Sequence, residues 1–358
     1  MDRRQLMKVL AGGGIAAGAL HGLRTAKAAD PIHWKMVTTW PKNFPGLGTG
    51  ANKLAQLIND MSGGRLQVKV YGAGELVPAF EVFDAVSRGT AQMGHGAAMY
   101  WQGKIASASF FCAMPFGFTQ QEMNGWLYHG GGMQLWQETY LPFGVFPFPA
   151  GNSGVQMAGW FNKPINSMTD IKGMKMRIPG PGGAVWQRAG GTPVTLPGSE
   201  IFSALKSGAI DATEWISPYN DIAFGLHKVA KYYYYPGWHE PGTTLECLVN
   251  LDAFKDLPPD LQYVVMNACR SANADLAAEF TAQNAFSLER LKTEGTVQIK
   301  PLPDDVLRSL RQHADEVIRD MASKDANAKK VYQSFADFRK QAGSWQEVSE
   351  MAYYNARG

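Results

Sequence analysis

After Pro258-Pro259 a helical pattern runs to about Thr293, over thirty residues with no breaker. At about 1.5 Å of rise per residue such a helix exceeds ordinary globular lengths and has to run past two lobes. The chain of 358 residues is long enough to form two cores.

What precedes the long helix alternates strand and helix. His33–Thr38 reads as a strand, and Leu54, Leu57, Ile58 and Met61 as a helical stripe behind a Thr49 cap. Leu66, Val68 and Val70 then alternate as a second strand, which completes a βαβ unit. Ala79, Val82, Phe83 and Val86 form another stripe closed by Gly89, Ala91–Gly94 is a short strand, and Thr119-Gln-Gln-Glu122 is a capping box. A second set of elements follows: a strand at Val155–Phe161, a strand at Met174–Ile178 stopped by Pro179-Gly180, a helix from Ser199 to Gly208, and strands near Ile210–Ala212 and Lys231–Tyr235. Glu246–Asn250 returns the chain to the first lobe, and two crossings make a hinge. The segment Ala85–Gln92 lies on Ala204–Asp211 as a weak internal repeat, which is either a duplicated lobe or two ordinary helix–Gly–strand junctions. Helical patterns also fill Asp304–Ala322, Ala328–Ala342 and Ser344–Tyr354, the last with Trp345, Val348, Met351 and Ala352 on one face after a break at Gly343.

These patterns give the expected organisation. Residues 1–28 are a twin-arginine signal peptide, with Arg3-Arg4, a weakly apolar stretch at Val9–Leu20 and a cleavage site at Ala26-Lys27-Ala28. Residues 29–150 with 241–257 are the first α/β lobe, 151–240 the second, and 258–358 the spanning helix and C-terminal helices. The leader carries a net +4, so the formal +3 of the whole chain falls to −1 without it, and no basic field for nucleic acid remains. Cys112, Cys247 and Cys269 are odd in number and widely spaced, which fits neither a disulfide framework nor a metal site; buried small hydrophobes or one disulfide remain.

Enzyme motifs are scarce. His129-Gly-Gly-Gly132 resembles a lipase oxyanion loop but has no Gly-x-Ser-x-Gly elbow to serve. Gly180-Pro-Gly-Gly183 lacks the spacing of a dinucleotide loop, and there is no P-loop, no H-E-x-x-H and no C-x-x-C. What stands out is a polar constellation at the ends of second-lobe elements: Asn152, Gln156, Arg177, Asp211, Glu214-Trp215 and Trp238-His239-Glu240. Arg177 ends a strand, where open α/β sheets bind ligands, and its guanidinium offers a two-pronged donor to a carboxylate; the alternative is an arginine paired with a neighbouring acid. Glu214 and Glu240 would repel a carboxylate held by Arg177 unless a cation lay between them. Two carboxylates, the Gln156 amide oxygen and a backbone carbonyl suit a hard ion, Na⁺ or Ca²⁺.

Four stretches in order, Gly151–Trp160, Gly173–Arg177, Ile210–Trp215 and Tyr232–Glu240, resemble the solute-binding proteins of TRAP transporters of the DctP type, and more narrowly the 2-oxoacid-binding and lactate-binding members of that family. The resemblance implies an α/β, two-lobe periplasmic-binding-protein fold with a hinge, and a periplasmic receptor rather than an enzyme. Such a receptor closes on a small carboxylate, a 2-oxoacid or 2-hydroxyacid, and delivers it to a membrane permease. It implies that Arg177 salt-bridges the carboxylate, that Asn152 hydrogen-bonds it and that Tyr100 contacts it from the first lobe. Gln156, Glu214, the Trp215 carbonyl and Glu240 would hold the cation. His239 stands where the family's pattern has an aromatic, which bears on pocket size. The resemblance also implies a homodimer that exchanges the C-terminal helix. A secreted enzyme acting on such acids, or a sensory binding module, are the other readings open to the sequence.

Overall fold

A computed structural model describes residues 30–358; the twin-arginine signal peptide expected over residues 1–28 lies outside the described residues. The first βαβ unit forms as its periodicities require, from β1 (Ile32–Thr38), α1 (Leu47–Met61) and β2 (Leu66–Tyr71), with β1 and β2 parallel and Trp34 opposite Val68. Its helix starts earlier than expected. Gly46, at φ 70°, is the residue before the first turn, so Thr49 sits inside the helix and caps nothing. There follow α2 (Val82–Ser87), β3 (Met93–Gly96), α3 (Gln120–His129), which carries the Thr119–Glu122 capping box, and α4 (Gly132–Tyr140).

The next strand was hidden in the sequence. β4 (Val145–Asn152) contains Pro147 and Pro149, which cannot donate to a ladder and are tolerated because β4 is an edge strand. Val155–Phe161, read as a strand, is one only at β5 (Gly159–Phe161); the residues between are the connection that leaves the first sheet for the second. The chain continues through β6 (Lys175–Arg177), α5 (Gly180–Arg188), β7 (Thr192–Val194), α6 (Gly198–Ser207), β8 (Ala212–Thr213), α7 (Pro218–Ala223) and β9 (Tyr232–Tyr235). It then returns as β10 (Thr244–Asn250), antiparallel to both β3 and β4. The glycine run 180–183, read only as a failed phosphate loop, opens α5. A Cβ at Gly183 would lie 2.5 Å from the Ile178 carbonyl, so the turn from β6 into the helix needs its absence.

Two sheets result, in the orders β2-β1-β3-β10-β4 and, with β11 (Gln298–Pro301), β11-β9-β5-β8-β6-β7. Offset by 119 residues, Gly89 and Met93, the first residue of β3, fall on Gly208 and Ala212, the first of β8, so the weak repeat coincides with equivalent helix–Gly–strand junctions in the two sheets. After α8 (Leu251–Lys255) the long helix is α9 (Pro259–Glu294), of 36 residues. Its first half packs Val265, Ala268 and Cys269 into a core with Met36, Ile58 and Cys247 beneath the first sheet, and its later turns meet α7. β11 then joins β9 in the second sheet, so the helix does span both. The other side of the first sheet buries an aromatic core in which Phe111 lies parallel between Trp126 and Trp136, at ring centroid distances of 5.5 and 5.4 Å. Met176, Val185 and Trp186 form a third core with Val306, Leu310 and Val317 of α10 (Asp304–Ala322).

The C-terminal helices differ from expectation. α11 (Ala326–Val348) runs straight through Gly343, and the break falls at Ser349 (φ −114°, ψ −99°), before α12 (Glu350–Arg357). Nothing approaches Gly343 closely, and a single helical glycine costs only about 1 kcal/mol, which neighbouring turns can absorb. Cys112, Cys247 and Cys269 are all buried free thiols.

Candidate functional site

Arg177 and Glu214 meet because their strands do. β6 and β8 are parallel neighbours with Arg177 opposite Thr213, and the Glu214 N–H donates to the Arg177 carbonyl at 3.1 Å, so both side chains leave the sheet at its carboxyl edge. Gly159 makes the adjacent pairing possible: at φ 126°, a Cβ there would stand 2.5 Å from the Thr213 carbonyl. Gln156 comes from the outward crossing and Glu240 from the returning one. These two segments run side by side, Gln156 N–H to Glu240 carbonyl at 3.3 Å and Ser153 N–H to Thr243 carbonyl at 3.0 Å. Gly237 allows the approach, since its N–H donates to the Gln156 carbonyl at 2.8 Å and a Cβ would lie 2.3 Å from that oxygen.

All four side chains line one small cavity of ≈ 20 Å³ between the sheets, together with Trp40, Tyr100, Trp215, Thr243 and Leu245. Arg177 is 1% exposed and pairs through Nη1 with Glu214 Oε1. Its Nε donates to the Leu196 carbonyl at 3.1 Å, its guanidinium stacks 5.1 Å from the Trp215 ring, and Nη2 is buried without a partner among the described residues. Burial is the largest influence and works against its charge, but Glu214, Tyr100 and Glu240 together outweigh it and hold the guanidinium above its usual range. Glu240 is pushed up to about 7, first by burial and then by the charge of Glu214; His239, the Thr243 hydroxyl and Arg177 act the other way. Burial raises the Tyr100 hydroxyl to about 12, with Arg177 pulling it back.

The donors suit a hard cation. Gln156 Nε2 donates to Glu240 Oε2 at 2.9 Å and to Thr243 Oγ1 at 2.8 Å, which turns the amide so that Oε1 is buried with no partner among the described residues. An orphaned amide oxygen beside two buried acids that disfavour each other's charge is a set of oxygen ligands short of a positive ion.

Asn152 stands apart. It closes β4 in the first sheet, not a second-lobe element, and does not line the cavity. Its amide is spent on Thr244 Oγ1 (3.2 Å) and the Gly242 carbonyl (3.4 Å), its oxygen on the Gly154 N–H (2.9 Å). His239 is the residue that the expected donor set omits. Ligand atoms of Glu214, His239 and Glu240 all lie within 4.8 Å of one another, His239 Nε2 is 3.4 Å from Glu214 Oε2, and both ring nitrogens lack partners among the described residues. Gly182 makes room for it, since a Cβ there would meet the His239 Cβ at 3.0 Å. Trp40 was missed as well, although it follows the carboxyl end of β1 and the strand-end rule that picked Arg177 applies there equally. Its Nε1 donates to His95 Nδ1 at 2.8 Å, which sets its ring edge-on to Trp215.

Comparison with known proteins identifies the family. The family model DctP, bacterial extracellular solute-binding protein, family 7, matches residues 36–325. A monocarboxylate 2-oxoacid-binding periplasmic protein of Nostoc sp. is 43% identical over 324 residues, 90% of this chain and 88% of its own. Two solved TRAP periplasmic solute-binding proteins superpose over 91% of this chain and 99% of theirs. That of Pseudoalteromonas atlantica, with bound sodium and pyruvate, is 40% identical with a TM-score of 0.88. That of Colwellia psychrerythraea, with bound calcium and pyruvate, is 39% identical with a TM-score of 0.89.

Proposed function

The chain belongs to the DctP family of bacterial extracellular solute-binding proteins, the receptors of TRAP transporters, and from that premise we propose that it binds a 2-oxo monocarboxylate of pyruvate's size together with Na⁺ or Ca²⁺ and delivers it to the membrane permease. The observation that carries this is the buried set of Arg177, Glu214, Glu240 and the unpartnered Gln156 Oε1 around one small cavity. Arg177 would salt-bridge the carboxylate, with Nη2 already free to donate and Nη1 released as Glu214 turns from the guanidinium. Tyr100 adds its hydroxyl from the first lobe. Gln156, Glu214, Glu240 and the Trp215 carbonyl would hold the cation, which neutralises the two acids and draws in the carboxylate and 2-oxo oxygens. His239 is close enough to serve as a further ligand. Asn152 acts at one remove, by fixing the crossing through Thr244 and Gly154. Trp40, Trp215 and Leu245 form the apolar part of the cavity wall, which favours a small acid.

The rest of the proposal follows from the fold. The two lobes are those expected, residues 29–150 with 241–257 and residues 151–240, save that the first runs on to Asn152 at the end of β4, and they close about the paired crossings. The leader at residues 1–28 directs export by the twin-arginine route to the periplasm. Trp345, Val348 and Met351, 66%, 69% and 58% exposed, leave an apolar face on α11 and α12 for a second copy of the chain. The protein binds its ligand without turning it over. Calorimetry against 2-oxo and 2-hydroxy acids, with and without each cation and with product analysis, tests this: pyruvate should bind only with a cation and be recovered unchanged. Turnover, or no binding of any such acid, would overturn it.

A further inference from the structure

Glu246 is an acid in a strand that otherwise reads Thr-Leu-…-Cys-Leu-Val, and it is fully buried. Nothing about β10 needs a carboxyl there: an apolar residue of similar size would pack without the cost of desolvating one. Its Oε1 accepts a hydrogen bond from Trp101 Nε1 at 2.6 Å, while Oε2 is buried with no partner among the described residues, as is the nearby Tyr140 hydroxyl. Trp101 is the last residue of the short 3₁₀ turn Ala98–Trp101, and the residue before it is Tyr100, which lines the ligand cavity. The turn is wedged against the sheet at the same place. Glu246 lies opposite Gly96 in the β3–β10 register, and a Cβ at Gly96 would be 2.8 Å from the Trp101 ring.

We propose that Glu246 is a positioning residue for ligand capture: its buried carboxyl anchors the Trp101 indole and thereby the turn that presents Tyr100 to the cavity. This rests on the reading of that cavity as the 2-oxoacid site. Burial raises the Glu246 carboxyl to about 8, against the pull of the Trp101 hydrogen bond and the nearby Tyr140 hydroxyl. The titratable groups that act with it from neighbouring elements are Tyr140 of α4, Cys112 and the adjacent Cys247, each held neutral because burial pushes it well above its ordinary value. Loss of the proton therefore places an uncompensated charge at the root of the Tyr100 turn. It draws the indole and the Tyr140 hydroxyl inward, and Tyr100 leaves its binding position.

Pyruvate titrations in sodium buffer from pH 6.5 to 9.5 test this. Wild-type affinity should rise toward pH 7.5 as Glu240 ionises for the cation, and then fall roughly ten-fold by pH 9, one proton's worth beyond a midpoint near 8. Glu246→Gln, whose amide oxygen still accepts from Trp101, should bind within about three-fold of wild type at pH 7 and show no fall to pH 9.5. Trp101→Phe should weaken binding at pH 7 roughly ten-fold and serves if Glu246→Gln fails to fold. A level wild-type profile, a Glu246→Gln profile falling in parallel with it, or wild-type affinity in Trp101→Phe would overturn the inference. Absence of pyruvate binding to the wild type at every pH would instead overturn the functional reading on which it rests.

Discussion

Arg177 holds a carboxylate before any ligand arrives, and the chemistry of the site depends on that carboxylate being its own Glu214. On the proposed function a ligand carboxylate would replace it, and the displaced Glu214 would take the cation as its new partner. Arg177→Lys should therefore weaken pyruvate binding by roughly 2–5 kcal/mol, since an ammonium cannot serve Glu214, the Leu196 carbonyl and a ligand in one plane. Titration by calorimetry with a circular dichroism check of the fold measures it, and near-unchanged affinity would remove Arg177 from the site. Sequence alone made Arg177, Glu214, Gln156 and Glu240 legible, because each stands at the end of a strand or beside a crossing, where side chains leave the sheet together. Nothing in the sequence showed that the Asn152 amide is saturated by Thr244 and Gly242, because those partners sit 90 and 92 residues away. His239 was legible only as a departure from a pattern; that its ring is buried against Glu214 depends on Gly182 lying beneath it.

At the scale of elements, periodicity found the helices and the strands with clean alternation and failed where function or an edge altered the pattern. β4 carries two prolines because it is an edge, and the segment after it joins neither sheet as a strand because it has to cross between them, bonding instead to the returning crossing. The C-terminal break was placed at Gly343 on the strength of the glycine, yet the helix continues to Val348 and bends at Ser349, so the exposed apolar face is shared between α11 and α12. Such a face is too apolar to leave in water, and deletion of residues 344–358 should convert a dimer at tens of micromolar into a monomer. Light scattering decides it. A monomeric mass for the undeleted chain would mean that the face serves some other contact.

On the scale of the whole molecule, three acids among the described residues are buried with raised values: Asp221 at about 7, held by Trp160, Tyr233 and the Ile216 N–H; Glu240 at about 7; and Glu246 at about 8. Burial is the first cause for each. The unfolded chain releases these protons near pH 4, the folded chain only near 7 to 8, so stability falls as pH rises through that interval and levels off above it. Cation-free protein should melt at a lower temperature at pH 8.5 than at pH 6, and saturating calcium should shrink the difference, because a cation favours ionised Glu240. Calorimetric melting at the two pH values measures this; a higher melting temperature at pH 8.5 would contradict it. The account stands on the cation joining the carboxyl groups of protein and ligand across the two sheets, and thermodynamic reciprocity makes that claim exact enough to test in one cycle. Pyruvate affinity measured with and without calcium, and calcium affinity measured with and without pyruvate, should change by the same factor of at least ten-fold, and Glu214→Gln should reduce that factor toward one. Pyruvate binding of equal strength in chelator and in calcium would contradict the cation-bridged site.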